Sequence, residues 1–200
     1  MPGRIILIRH GETDWSRDGR HTGLTDLPLT EAGETAARTL ASLLPAEVDL
    51  TLCSPLQRAQ RTAQLAGLTV TAIDPDLVEW DYGAWEGRTT AEIRTTLGAP
   101  DWVIWDHPIP AGSTSGEQLS DIGRRTGRII ERCLPIVRAG GTCALVAHGH
   151  VLRILTAHWL GLDPIDGRLL ALDPATLSVL GFEHEQRVIR TWNSHAALTR

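Results

Sequence analysis

The chain has 200 residues and a formal net charge of −5, and all 19 of its basic residues are arginine. Without lysine it cannot form a Schiff base, supply the lysine of a P-loop or use a Ser-Lys dyad. The acidic balance argues against a general binder of nucleic acid or of membrane surfaces, because both require a basic field on the protein. Any anion bound here must therefore meet a local cluster of arginines.

The length is sufficient for one domain spanning residues 1–200 with a sizeable core. No apolar run approaches the roughly 20 residues of a membrane span. The three cysteines, Cys53, Cys133 and Cys143, lie among apolar neighbours. They are interpreted as reduced core residues of a cytoplasmic protein, and neither a disulfide framework nor a metal site is expected.

Short apolar runs alternate with stretches of helical period along the whole chain. This pattern predicts an α/β fold of three αβα layers, with a mostly parallel central sheet, helices on both faces and one antiparallel edge strand. Parallel strands are predicted at 5–8, 48–53, 69–73 and 142–147, and helices at 30–44, 55–66, 117–137 and 151–160. Two further strands, at 177–182 and 188–192, are expected to pair at one sheet edge.

Residues 74–116 differ from this alternation. They are rich in glycine and proline and hold four of the seven tryptophans, with only a short helix predicted at 90–97. Such a segment is typical of a lid-like insertion that lies over the sheet.

Polar residues with chemical capability follow two of the predicted strands. Arg9 and His10 end the first strand, and His148 follows the strand at 142–147. In open α/β sheets this carboxyl edge is where ligands bind. Arg58 falls in the first turn of a helix after a third strand, and a helix start adds free N–H groups and a positive dipole end. The combination predicts a site for a tetrahedral dianion.

Four ordered blocks of sequence carry a family resemblance. They are Ile8-Arg9-His10-Gly11-Glu12-Thr13, Ser54-Pro55 with Arg58-Ala59, Glu79-Trp80-Asp81-Tyr82-Gly83-Ala84-Trp85-Glu86-Gly87, and Ala147-His148-Gly149-His150. Together they resemble the histidine phosphatase superfamily, in the branch that contains phosphoglycerate mutases. Further segments around Trp15-Ser16 and 22–30 are similar to the actinobacterial broad-specificity acid phosphatases and the fungal sedoheptulose-1,7-bisphosphatases.

The resemblance implies a phosphomonoester hydrolase that needs no metal or cofactor and acts on small phosphorylated metabolites. His10 would attack phosphorus and form a phosphohistidine, which divides one difficult transfer into two easier ones. Arg9, Arg58 and His148 would hold the non-bridging oxygens and stabilise the charge of the transition state.

The resemblance also implies the proton donor and the substrate contacts. Glu79 would protonate the leaving alcohol and then activate water, and its neighbour Asp81 is a competing candidate. Thr22, Gly23 and Gly149 match positions that bind substrate, as does Ser16, which stands where the family commonly has Asn.

Several other residues receive less specific interpretations. His150 is expected to line or orient the site, and metal binding is the minority interpretation. Arg61 is expected to be a solvated charge, with contact to a second substrate phosphate as the alternative. The remaining histidines are expected to be structural or exposed: His21, His107, His158, His184 and His195.

Two other functions remain open. A phosphoglycerate mutase is one, although such mutases use extra basic residues, including lysine, that this chain lacks. A non-catalytic phospho-ligand-binding protein is the other, although binding alone requires neither a nucleophile nor an acid. The sequence does not distinguish a sugar bisphosphate from other phosphomonoesters as substrate. The oligomeric state is also open. A homodimer through a sheet edge is expected only because two-fold dimers are the commonest soluble oligomers.

Overall fold

A computed structural model of the protein describes residues 3–196, and a six-stranded sheet runs through this part of the chain. Its strands are β1 (Arg4–Arg9), β2 (Leu50–Cys53), β3 (Ala72–Ile73), β4 (Thr142–Ala147), β5 (Leu177–Glu183) and β6 (Gln186–Ser194). Their spatial order is β3-β2-β4-β1-β5-β6. Strands β1 to β4 are parallel, whereas β5 is antiparallel to both β1 and β6. The predicted α/β class and the antiparallel edge are confirmed.

Six α-helices surround the sheet in the described residues. They are α1 (Asp14–Arg17), α2 (Glu31–Thr39), α3 (Gln57–Leu65), α4 (Thr90–Leu97), α5 (Leu119–Arg138) and α6 (Gly149–Trp159). Thr30 caps α2, because its hydroxyl accepts from the Gly33 N–H at 3.0 Å. The predicted start of α3 at Ser54-Pro55 is wrong by two residues. The Ser54 hydroxyl accepts from the Leu56 N–H, and Leu56 is the residue that precedes the helix.

The central strand β1 is buried on both faces. Ile5 and Leu7 pack into a cluster with residues of α5 and α6, while Ile6 and Ile8 pack into a cluster with residues of α2 and α3. Side chains of a strand point alternately to opposite faces, so a continuous apolar run fits a sheet covered on both sides. Burial of each of these side chains contributes about 2 kcal/mol. The residues that follow β1 are therefore attached to a rigid platform.

The edge strand β3 is shorter than predicted. Only Ala72 and Ile73 pair with β2, although the sequence predicts a strand at 69–73. The preceding contact uses a side chain, since the Thr51 N–H donates to the Thr71 hydroxyl at 3.0 Å. The Thr71 N–H still donates to the Thr51 carbonyl at 2.9 Å, so the side-chain acceptor replaces only the bond from the Thr51 N–H, and the strand is shorter for that reason.

The segment 74–116 contributes α4 and three single turns of 3-10 helix at Pro75–Leu77, Gly83–Trp85 and Ile104–Asp106. Its aromatic residues pack inward. Trp80, Trp85 and Trp102 are buried in the same cluster as α5 and α6, and Trp105 packs edge-on against Trp80 with ring centroids 5.6 Å apart. The segment therefore covers one face of the sheet.

The three cysteines are buried and free in the structure. Burial raises the pKa of the Cys53 thiol to about 12. None of the helices among residues 3–196 is both long enough and apolar enough to cross a membrane.

Candidate functional site

A cavity of about 210 Å³ opens at the carboxyl ends of β1 and β4. It is lined by Arg9, His10, Ser16, Gly19, Arg20, His21, Thr22, Glu79, Tyr82, Gly149, His150 and Arg153. Six of the nine predicted site residues are in this lining. A larger cavity of about 780 Å³ lies beside α3, around Arg61, and it contains none of the nine. The chemistry of the lining, and not cavity size, marks the candidate site.

His10 is fixed by both its backbone and its ring. Its N–H donates to the Ala147 carbonyl at 2.9 Å and its carbonyl accepts from the Ala175 N–H at 3.0 Å. The ring Nδ1 lies 2.7 Å from the Gly11 carbonyl, which can only accept, so Nδ1 carries the proton. Burial, followed by the charges of Arg58 and Arg9, holds the pKa of His10 well below its usual range. At neutral pH the ring is therefore uncharged, with the lone pair on Nε2.

Arg9 lines the cavity, and its guanidinium has an incomplete set of hydrogen bonds. Its Nη1 donates to the Leu172 carbonyl, whereas its Nε is buried and has no partner among the described residues. Gly149 lies against this guanidinium, and a Cβ added there would be 3.3 Å from the Arg9 Cζ. Buried donors in native proteins are rarely left unpaired, so this N–H is well placed for an oxygen of a bound anion.

Arg58 and His148 lie beside the cavity lining and are joined to each other. Arg58 is fully buried, and its Nε donates to Nδ1 of His148 at 3.1 Å. The other ring nitrogen of His148 is 2.7 Å from the Ser54 hydroxyl. The His148 ring centroid is 5.1 Å from that of His10. Both ring nitrogens of His148 thus have hydrogen-bond partners. A bound anion could contact Nε2 only by replacing the Ser54 hydroxyl as its partner.

The rest of the Arg58 guanidinium holds a loop in place. Its two Nη atoms donate to the carbonyls of Thr25, Thr22 and Gly23, at 2.9, 3.2 and 2.8 Å. The same loop is held from the other side by Glu86, whose carboxylate accepts from the N–H groups of Gly23 and Thr25. The predicted site residue Gly23 contributes through its backbone and does not line the cavity.

Substitution of Arg58 by lysine is expected to damage both activity and stability. The ammonium keeps the charge but cannot make four hydrogen bonds in a fork, and each bond from a charged donor contributes about 1.5–3 kcal/mol. We expect the free energy of unfolding in urea to fall by about 3 kcal/mol and kcat/KM to fall at least about 100-fold. Arg61→Lys is the matched control, because Arg61 lies one turn further along α3 and pairs with Glu34 outside the cavity. Equal effects of the two substitutions would contradict the role given to Arg58.

Glu79 is held at the N-terminus of α6. Its Oε1 accepts from the N–H groups of Trp80 and Val151, and its Oε2 from that of His150, each at 3.0 Å. The competing candidate Asp81 does not line the cavity, because its Oδ1 accepts from the Gly83 N–H and the Thr114 hydroxyl. Of the two candidates for the proton donor, Glu79 is the one that lines the cavity.

An ion pair between the buried Arg125 and the half-buried Glu117 braces the backbone that carries Glu79. Arg125 on α5 donates to the carbonyls of Asp76, Val78 and Glu79, at 2.7, 2.7 and 3.3 Å. The same guanidinium is bidentate to Glu117, with N to O distances of 2.7 and 2.9 Å. The sequence analysis did not identify Arg125, since its bonds to these three carbonyls join residues 46 to 49 positions apart.

Five residues of the lining were not predicted to belong to the site, namely Gly19, Arg20, His21, Tyr82 and Arg153. Tyr82 and His150 form a pair, with the Tyr82 hydroxyl 2.6 Å from Nδ1 of His150. His21 was expected to be structural or exposed, but it joins the cavity wall because its backbone pairs with residues 87–88. Burial lowers the pKa of His21 to about 4. Arg153 could have been found from sequence, since it lies four residues after Gly149 on the same face of α6.

The weaker predictions have mixed outcomes. Ser16 and Thr22 line the cavity, but the Ser16 hydroxyl accepts from the Thr13 N–H and that of Thr22 donates to the Arg20 carbonyl. His150 lines the cavity, as expected. Within residues 3–196, no group of three or more His, Cys, Asp or Glu side chains is placed to hold a metal ion.

The buried histidines predict how stability depends on pH. Burial is the main cause that holds the pKa values of His10 and His148 well below 6.5. As the pH falls below about 6.5, the unfolded chain binds protons that the folded protein does not bind, so folding becomes less favourable. Each residue contributes up to about 1.4 kcal/mol per pH unit. Urea unfolding at pH 7.5 and 5.5 should show a loss of at least about 2 kcal/mol, and unchanged stability would contradict neutral histidines.

Comparison with known proteins identifies relatives over nearly the whole chain. A family model described as the histidine phosphatase superfamily (branch 1) matches residues 5–195. An acid phosphatase of Mycobacterium tuberculosis is 40% identical over 188 residues, which cover 92% of this chain and 89% of that protein. The sedoheptulose 1,7-bisphosphatase of Saccharomyces cerevisiae is 35% identical over 185 residues, 80% of this chain and 68% of that protein.

Mutases are also among the relatives. A 2,3-bisphosphoglycerate-dependent phosphoglycerate mutase of Azorhizobium caulinodans is 35% identical over 165 residues, 78% of this chain and 80% of that protein. Among solved structures, the product of a Mycobacterium tuberculosis open reading frame aligns with a TM-score of 0.89 at 37% identity, covering 97% of this chain and 98% of the other. The resemblance expected from the four sequence blocks is confirmed.

Proposed function

Since this chain belongs to branch 1 of the histidine phosphatase superfamily, we propose that it hydrolyses small phosphomonoesters through a phosphohistidine on His10, with Glu79 as proton donor. Phosphatase activity as such follows from the family and from its phosphatase-named relatives. One observation carries the finer proposal. His10 with its uncharged ring, Arg9 with a buried Nε that has no partner among the described residues, and Glu79 all line one small cavity.

In the first step, the lone pair on Nε2 of His10 attacks phosphorus and the bond from phosphorus to the ester oxygen breaks. The leaving oxygen takes a proton from Glu79. In the second step, a water molecule attacks the phosphohistidine and gives a proton to Glu79. Inorganic phosphate leaves, and His10 returns to its neutral form.

Arginine side chains supply the charge stabilisation in this proposal. The Nε of Arg9 donates to a non-bridging oxygen, and His148 contacts the phosphoryl group once its Ser54 bond is exchanged. Arg58 contributes its positive charge beside the cavity and its hydrogen bond to Nδ1 of His148. Phosphoryl transfer has a loose transition state with charge spread over three oxygens, so positioned cations account for most of the catalysis. Neither a metal nor a cofactor enters the steps.

The test is release of phosphate from p-nitrophenyl phosphate, with and without a chelator. We expect turnover that a chelator leaves unchanged. No turnover of this ester or of any sugar phosphate would favour the phospho-ligand-binding alternative. A panel of sugar phosphates, sugar bisphosphates and phosphotyrosine then ranks the substrates.

The mutase alternative has its own assay. The similarity to a mutase favours it, and the absence of lysine and of an adjacent arginine pair before Gly116 in the insertion argues against it. Conversion of 3- to 2-phosphoglycerate in the presence of bisphosphoglycerate, without phosphate release, would replace the hydrolase proposal. We expect phosphate release instead.

A further inference from the structure

Glu79 lies on a segment without regular structure. Residues 78–82 connect the single turns of 3-10 helix at Pro75–Leu77 and Gly83–Trp85, and they form neither a helix nor a strand. The carbonyl groups of such a segment lack partners within a helix or sheet, so groups from elsewhere in the chain must bind those that are buried. The position of the Glu79 backbone therefore depends on its tertiary contacts.

Arg125 on α5 supplies three of these contacts. A guanidinium has five N–H groups, and that of Arg125 makes five hydrogen bonds. Three go to the carbonyls of Asp76, Val78 and Glu79, and two go to the Glu117 carboxylate. The Arg125 side chain is only 7% exposed. Because a bidentate pair fixes the orientation of the guanidinium, it also fixes the carbonyls that the guanidinium holds.

The backbone of Glu117 holds the residues that follow Glu79. Its carbonyl accepts from Nε1 of Trp80 at 2.7 Å, and its N–H donates to the Asp81 carbonyl at 2.9 Å. Glu117 lies two residues before α5 begins. The chain is thus bound on one side of Glu79 by Arg125 and on the other side by Glu117, and both contacts come from the first part of α5.

The carboxylate of Glu79 is held from a different helix. It accepts from the N–H groups of His150 and Val151 in the first turn of α6. A proton donor must lie within about 2.6–3.2 Å of the atom that it protonates. A misplacement of about 1 Å can cost about 100-fold in rate. Release of the backbone from α5 would let the carboxyl group move relative to the bound ester, with the cavity otherwise intact.

Another arginine of α5 offers a comparison. Arg128 lies three residues after Arg125, and its guanidinium is bidentate to the Asp76 carboxylate. The Arg128 side chain is 54% exposed, and exposed ion pairs contribute little to stability. It contacts the same segment as Arg125, but it binds a side chain and not the backbone beside Glu79.

We propose that Arg125, with Glu117 as its partner, is a positioning residue for proton transfer. It holds residues 76–81 so that the Glu79 carboxyl group reaches the oxygen of the leaving alcohol. This inference rests on the proposed function, in which Glu79 is the proton donor. Arg125 does not line the cavity, so its loss should impair proton transfer and not the binding of phosphate.

The dependence of the rate on the leaving group tests the proposal, because a general loss of structure would slow all esters alike. The two esters are p-nitrophenyl phosphate and the alkyl phosphate that the wild type hydrolyses best. For Arg125→Met, we expect kcat/KM to fall about 10- to 100-fold for the alkyl ester and at most about threefold for the aryl ester. The ratio kcat/KM reports transfer to His10, whereas kcat also includes hydrolysis of the phosphohistidine.

Arg128→Met is the matched control, and both of its kcat/KM values should equal those of the wild type. Arg125→Lys keeps the charge but cannot make the five bonds. It covers the case in which the methionine variant does not fold, and it should show the same selective loss to a smaller extent. The inhibition constant of inorganic phosphate should stay at the wild-type value, because Arg9 and His10 are held by other segments. Equal losses for both esters, or no loss, would overturn the proposal.

Combination with Glu79→Gln separates this inference from the proposed function. Once the acid is removed, Arg125→Met should cause no further loss that is selective for the alkyl ester. A further selective loss would overturn the proposal, because Arg125 would then act through another group. If Glu79→Gln itself showed no dependence on the leaving group, the assignment of the acid would be wrong and the positioning role would fail with it. If Glu79→Gln shows that dependence and the Arg125 variants do not, only the positioning role fails.

Discussion

Replacement of His10 by alanine is expected to lower kcat for p-nitrophenyl phosphate by about four orders of magnitude or more. No other described group in the cavity combines an uncharged ring nitrogen with a hydrogen bond that fixes the opposite nitrogen as donor. Loss of a covalent nucleophile leaves only binding and electrostatic stabilisation, and residual rates in such variants are small. Stopped assays of phosphate release with the two purified proteins measure the ratio directly.

Two further measurements make this result specific for the nucleophile. The wild type should incorporate label from a phosphorylated substrate into an acid-labile, alkali-stable adduct, and His10→Ala should not. His107→Ala is the control, since His107 is exposed and stacks on Trp102 away from the cavity. Equal rates for His10→Ala and the wild type would refute the covalent mechanism.

The second large effect is expected for Glu79→Gln. An amide cannot protonate the leaving oxygen, and general acid catalysis contributes about 10²- to 10⁴-fold. The loss should depend on the leaving group. Alkyl phosphates, whose alcohols are poor leaving groups, should lose more than p-nitrophenyl phosphate, whose phenolate leaves readily without a proton. Rates for both ester types at one pH measure the difference.

Asp81→Asn is the natural comparison for this variant, because it makes the same chemical change two residues away. We expect a loss that is similar for alkyl and aryl esters, since Asp81 contacts Gly83 and Thr114 and not the cavity. If Asp81→Asn showed the leaving-group dependence and Glu79→Gln did not, the assignment of the acid would be reversed. Melting temperatures check that Glu79→Gln leaves the fold intact, because the amide that replaces the carboxylate has one acceptor oxygen for the three N–H groups.

Sequence predicts well the parts of this fold that depend on local patterns. The apolar run Ile5–Ile8 and the long helical period of α5 need only their own residues to be recognised, and both elements lie where they are predicted. β3 is different, because its length depends on a hydroxyl of Thr71 that bonds to another strand. The hydrophobic periodicity of a sequence does not reveal hydrogen bonds between residues that are far apart in the chain.

The same distinction applies to the site. Arg9, His10 and Glu79 were recognisable because each lies in a sequence block with its own pattern, and all three line the cavity. The roles of Arg58 and Glu86 depend on loop carbonyls and N–H groups that only the folded chain brings together. Backbone carbonyl and N–H groups are the same for nearly every residue type, so the sequence alone does not reveal these contacts.

The loop at residues 22–25 has a consequence for how the enzyme loses activity. Its backbone carbonyls bind Arg58 and its N–H groups bind Glu86, so a few polar bonds decide its position. Segments of this kind open with a lower free energy than the core. Opening would release the guanidinium next to His148 while the sheet stays folded. Inactivation on mild heating or in dilute urea should therefore precede global unfolding, and amide exchange at Gly23 and Thr25 would report it.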